Sequence, residues 1–193
     1  MGTLNVASLN STNLTSTNLT STNLTSAGNI DLSGSWTDAP PGTVIQMASA
    51  TSGPGHQTIN STSPVVITGL DADFTPRRSD SKIIINVCIA SNLVYVTSFG
   101  VYENGSAVVS TSGQTNSNEP NTSVTTYKGS SSTGLMHSCS FNVILNAGST
   151  NLRTYDVRGT SGWAGTAYDL TINDRGTTDM ASFSTMIIYE VAQ

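Results

Sequence analysis

The two histidines and two cysteines are the side chains best suited to nucleophilic or acid–base chemistry, and their spacing gives them little to do. His56 sits in Ser52-Gly53-Pro54-Gly55-His56, a turn-like and solvated setting. His137 precedes Cys139 by two positions in an apolar run that reads as a strand. A Cys–His couple needs the imidazole aimed at the thiol, whereas residues two apart on a strand share a face without meeting. Cys88 and Cys139 lie in separate strand-like runs, which fits buried reduced thiols and also permits a cross-sheet pair. Neither spacing is that of a metal site. Asp169, Asn173, Asp174 and Asp179 offer oxygen ligands for Ca²⁺, but not at EF-hand spacing, so turn hydrogen bonding is the expectation for them. There is no Gly-x-Ser-x-Gly elbow, phosphate-binding glycine loop or zinc pattern. The chain is therefore expected to have no catalytic residues, no metal and no cofactor, and not to be an enzyme.

Residues suited to recognition are better represented. Tyr155, Arg158, Trp163, Tyr168 and Arg175 fall close together, interleaved with Gly159, Gly162 and Gly165. Aromatic rings stack on sugar faces and anchor interfaces, and glycine-rich loops expose such groups. The segment reads either as a receptor or glycan contact, or as packing in a sandwich core or subunit interface. Arg77-Arg78 follows Pro76 at a strand end, where a solvated turn or a contact to Asp80 or Asp71 is expected.

Strands must position these groups. Runs rich in β-branched and aromatic residues cover Thr43–Ala50, Pro64–Thr68, Lys82–Ala90, Leu93–Val101, Ala107–Ser110, Leu135–Leu145, Asn151–Val157 and Phe183–Val191. In the last of these Phe183, Thr185, Ile187 and Tyr189 face one way and Met186, Ile188 and Glu190 the other. Leu93–Tyr102 is apolar on both faces, as suits a strand buried between a core and a neighbouring subunit. Glu103-Asn104-Gly105 is the strongest hairpin signal in the chain. No stretch combines helical periodicity with good caps, so the expected fold is all-β, an antiparallel β-sandwich of jelly-roll type.

In front of this head lies a repeat. Leu4, Leu9, Leu14, Leu19 and Leu24 recur every five residues, the last three within identical Thr-Asn-Leu-Thr-Ser copies. On a helix each leucine would be rotated by about 140° from the last, and on a flat strand successive leucines would alternate faces. Only a chain that wraps or turns once per repeat can bury all of them in one direction. Residues 12–16, 17–21 and 22–26 resemble the pentapeptide-repeat pattern, four of which form one square β-helical coil. A single coil leaves both ends of its core open. The expectation is an N-terminal stem or anchor, residues 1–32, in which several chains pool their leucines. A junction, 33–42, contains Trp36 and Pro40-Pro41-Gly42, and the head spans 43–193.

Composition narrows the function classes. Only 10 % of the 193 residues are charged and the net charge is −5, with seven scattered basic residues. No basic stripe supports nucleic-acid binding. The most apolar stretch, Lys82 to Val101, is broken by Asn86, Ser91, Asn92 and Thr97, so membrane insertion is not expected. Abundant Ser, Thr, Asn and Gly are typical of fibrous β-proteins, and the same composition accounts for the many Asn-x-Ser/Thr sequons without invoking glycosylation.

Three phrases carry a family resemblance: Pro40-Pro41-Gly42-Thr43-Val44-Ile45-Gln46; Val66-Ile67-Thr68-Gly69-Leu70-Asp71-Ala72-Asp73-Phe74-Thr75-Pro76; and Ser79-Asp80-Ser81-Lys82-Ile83-Ile84-Ile85. Together with a C-terminal apolar strand ending in Glu190, they resemble virion-appendage proteins, tail-fibre or knob-like, of cyanophages and other marine bacteriophages. The likeness covers 40–110 and, loosely, 183–193, and does not reach 111–182. It implies a homotrimeric structural protein of the virion, joined to other virion proteins through its stem and in contact with a host surface glycan. A capsid decoration or head-fibre protein, and a lectin-like carbohydrate-binding module, are the alternatives.

Overall fold

The computed structural model describes residues 39–53, 55–92, 96–108, 136–162, 165–174 and 181–193, with the backbone course of 124–127. The chain divides into two compact units, Met1–Gly34 and Ser35–Gln193, and every described residue belongs to the second. The repeat leucines Leu4, Leu9, Leu14, Leu19 and Leu24 lie outside the described residues, as do Trp163 and Arg175.

The described chain enters through a tight turn. Thr43 N donates to Pro40 O (3.1 Å), with Pro41 and the left-handed Gly42 (φ 86°) at the centre, the residues a type II turn requires. The strands that follow are β1 (Val44–Ser52), β2 (Gln57–Ile59), β3 (Val65–Phe74), β4 (Lys82–Asn92), β5 (Val96–Glu103), β6 (Ser106–Ala107), β7 (Val124–Tyr127), β8 (Met136–Asn146), β9 (Arg153–Ser161), β10 (Leu170–Ile172) and β11 (Ser184–Val191). Every pairing is antiparallel. Among the described residues there is no helix, and none long and apolar enough to cross a membrane.

Two sheets result. In the first, β4 pairs with β8 along its whole length; its other edge is taken by β11 over Lys82–Cys88 and by β10 at Ser91. β1 lies outside β11 and β2 outside β10, so the long strands run β1-β11-β4-β8. The second sheet runs β3-β9-β5, with β6 and β7 sharing the outer edge of β5. Between consecutive long strands the chain changes sheet each time except from β5 to β7. This order is that of a jelly roll.

Alternation fills the space between the sheets. Ile83, Ile85, Val87 and Ile89 of β4, Cys139 and Val143 of β8, and Met186 and Ile188 of β11 face Ile67, Leu70 and Phe74 of β3, Phe99 and Val101 of β5, and Tyr155 and Val157 of β9. The β11 alternation follows the expected pattern, with Met186, Ile188 and Glu190 inward. β5 is buried on both faces within a single chain, so no neighbouring subunit is needed to enclose it. The Asn104-Gly105 pair forms the expected hairpin, with both residues at positive φ (49° and 83°) and Glu103 paired to Ser106.

Candidate functional site

Gln46, the Arg77-Arg78 loop and Ser81 lie 109 to 144 positions before Glu190, and the fold brings them to its carboxylate. Glu190 is inward-facing and 0 % exposed. Its Oε2 accepts from Gln46 Nε2 (2.7 Å) and from the backbone N–H of Arg77 (2.8 Å), and its Oε1 from Arg78 N–H (2.9 Å) and Ser81 Oγ (2.7 Å). Gln46 Nε2 also donates to Thr75 O (2.7 Å), and the single Ser81 hydroxyl proton is shared between Glu190 Oε1 and Arg78 O (2.9 Å). The Pro-Gly-Thr-Val-Ile-Gln strand, the Thr-Pro loop and the Ser-Lys-Ile strand start are thereby fastened to β11. With four donors on a buried carboxylate, the arrangement is a structural lock with no vacant lone pair aimed at a ligand. Arg78 closes the loop from outside through two hydrogen bonds to Asp80 (2.9 and 2.7 Å), which hold the Asp80 carboxyl below the usual carboxylate range.

The recognition candidates separate onto opposite faces. Tyr155 and Arg158 are three apart on β9, so one points in and the other out. Tyr155 is 0 % exposed, with its ring 6.4 Å from that of Phe74, and burial pushes its phenol up to about 12. Of the two readings of this segment, Tyr155 takes the core one: it is enclosed between the sheets and reaches no surface ligand. Arg158 stands on the outer face of the second sheet. It grips Asp156 with Nε–Oδ1 at 2.6 Å and Nη2–Oδ2 at 3.0 Å, and its guanidinium lies 4.3 Å over the Tyr102 ring. The bond to Asp156 raises the Arg158 pKa, and burial raises that of Tyr102. Asp71, the register partner of Asp156, and Asp73, one row further along β3, are exposed on the same face. Tyr168 is half-buried against the core, and its carbonyl accepts from Ser161 Oγ.

The remaining titratable groups occupy structural positions. Cys139 points into the core, where burial raises its thiol pKa, while Cys88 points out of the sheet and meets Ser138 Oγ at 3.3 Å. Opposite directions on adjacent strands keep both thiols free. His137 faces inward across from Ser91, and both His137 Nε2 and Ser91 Oγ are buried without a partner. His56 is exposed and lies 3.9 Å from Asp174. Asp169 accepts from Asn60 (2.6 Å), and the buried Asn173 bonds Ser52 O (2.9 Å), Ser52 Oγ (3.0 Å) and Ser184 Oγ (2.6 Å). Asp179 lies outside the described residues.

One surface went unread in the sequence. The registers align Met47 (β1), Tyr189 (β11), Ile84 (β4) and Ile144 (β8) in one row across the outer face of the first sheet. Met47 and Ile144 are 62 % and 61 % exposed. The next rows are Ser49–Ile187–Asn86–Asn142 and Thr51–Thr185–Cys88–Ser140. Around Asn86, Cys88, Ser140, Asn142 and Ile187 the face dips into a shallow depression of about 340 Å³. The period-2 pattern of β11 was the available signal; which strands flank it was not.

Fold and surfaces together define a two-sheet antiparallel β-sandwich with jelly-roll strand order. No protein-family model matches the chain, and no curated protein does. Among solved structures, one match is to a chain in the structure of infectious bursal disease virus, Gx strain, at 12 % identity and a TM-score of 0.32. It covers 78 % of this chain and only 39 % of that one.

Proposed function

We propose that this protein is a structural component of a bacteriophage virion, a homotrimeric fibre or knob appendage whose N-terminal leucine repeats anchor it to the particle. The observation that carries this reading is the Glu190 lock. Gln46 and Ser81, which Glu190 holds together with the Arg77-Arg78 loop, fall within the phrases that resemble marine-phage appendages, and this supports reading those phrases as one structural unit. Low charge and a jelly-roll domain with one sheet face nearly free of charge suit a protein that packs into an assembly. Contact with the host falls to the ionic face that carries Arg158.

The test is localisation. Antibody to the purified protein should label particles isolated from the cells that produce it. Gold at a single vertex supports a tail appendage, and gold distributed over the shell supports the decoration alternative. Particles free of the protein by mass spectrometry would defeat both.

A further inference from the structure

We propose that the outer face of the sheet β1-β11-β4-β8 is where copies of this chain pack against one another, centred on the row Met47–Tyr189–Ile84–Ile144. This deepens the homotrimer reading by naming the surface of the folded domain that the copies share.

Three observations point to a second copy. First, the two outer faces differ in kind. The second sheet presents Asp71, Asp73, Asp156 and Arg158, whereas on the first Lys82 is the one ion among the described residues, and it is occupied by Asn146 Oδ1 at 2.5 Å. A surface of apolar rows beside Asn, Ser and Thr rows, with its single ion in the end row Val191–Lys82–Asn146, meets its own copy with little charge to bury.

Second, the apolar side chains are contiguous. Val44, Met47 and Ile144 are more than half exposed, with Ile84, Ile187, Tyr189 and Val191 half-buried between them. Third, the size fits. Four strands of eight to eleven residues at ~4.8 Å spacing and ~3.4 Å rise cover roughly 600 Å². Turned towards a threefold axis, three copies together then remove about 1,800 Å², each face divided between its two neighbours.

Cys88 reports on this face, because it is partly exposed there, two rows from Ile84 on the same strand, while Cys139 is enclosed in the core. The experiment measures maleimide alkylation of Cys88 in the full-length native protein, with mass by light scattering on the same samples. Slow modification at high protein concentration, rising at least tenfold on dilution or in Met47→Glu/Ile144→Glu, is expected. Leu152→Glu, an exposed apolar position elsewhere, should leave the rate unchanged. The dilution series needs no variant, so a misfolded mutant does not spoil the test. An oligomer whose Cys88 reacts freely at every concentration overturns the proposal while leaving a stem-held trimer standing. A monomer at tens of micromolar overturns both.

Discussion

A carboxylate taken out of water keeps its charge only if its lone pairs find donors, and Glu190 finds Gln46, two backbone N–H groups and Ser81. Glu190→Gln keeps the shape but turns an amide N–H₂ against donors and removes the charge. We expect it to cost roughly 3–5 kcal/mol, read from urea unfolding; a variant as stable as wild type would show that the lock does not hold the domain. Tyr155 makes a second prediction at this scale. Its folded pKa, about 12, lies above the ordinary tyrosine value of 10. The unfolded chain therefore loses this proton first, and the stability involved is whole below pH 10 and declines as pH rises towards 12. Wild type should lose roughly 3 kcal/mol more than Tyr155→Phe across that window, by denaturant melts at each pH. Equal losses would mean that the phenol is not buried. Trp163 and Arg175 lie outside the described residues, while Tyr155 and Arg158 were separated by the simplest rule of a strand, that odd spacing changes face.

At the scale of elements, most long strands were legible because β-branched runs and alternation survive any context. β4, β8 and β11 fall within two residues of the sequence limits. The far half of β3 did not, because Gly69-Leu70-Asp71-Ala72-Asp73 has the composition of a turn. Here Gly69 takes up a bulge: the register breaks between Val66 and Asp71, and Gly69 adopts φ 82°. Its added Cβ would stand 3.2 Å from the Thr51 carbonyl oxygen of β1, a backbone atom with little freedom to move. Gly69→Ala should therefore cost about 2–3 kcal/mol, strain plus crowding, measured by chemical denaturation; a neutral outcome would mean the bulge relaxes freely. β2 and β10, three residues each, were missed because their pairing is set by the end of β4 and not by any run of their own.

For the whole molecule, function turns on which face meets what. One outer face is ionic and the other nearly free of charge, and the proposals above assign the first to the surroundings and the second to copies of the chain. The particle-labelling and Cys88 experiments address those two roles independently. By itself the sequence determined the β class, the antiparallel sandwich, the Asn104-Gly105 hairpin and the inward side of β11, because these follow from local propensity and a period of two. Only the tertiary structure decided that Met47, Tyr189, Ile84 and Ile144 form one row, and that Gln46, Arg77, Arg78 and Ser81 meet at Glu190. Both depend on lateral strand order and register, which are fixed by contacts between residues as many as 144 positions apart. No local pattern encodes which strand lies beside which; shared burial of the core does.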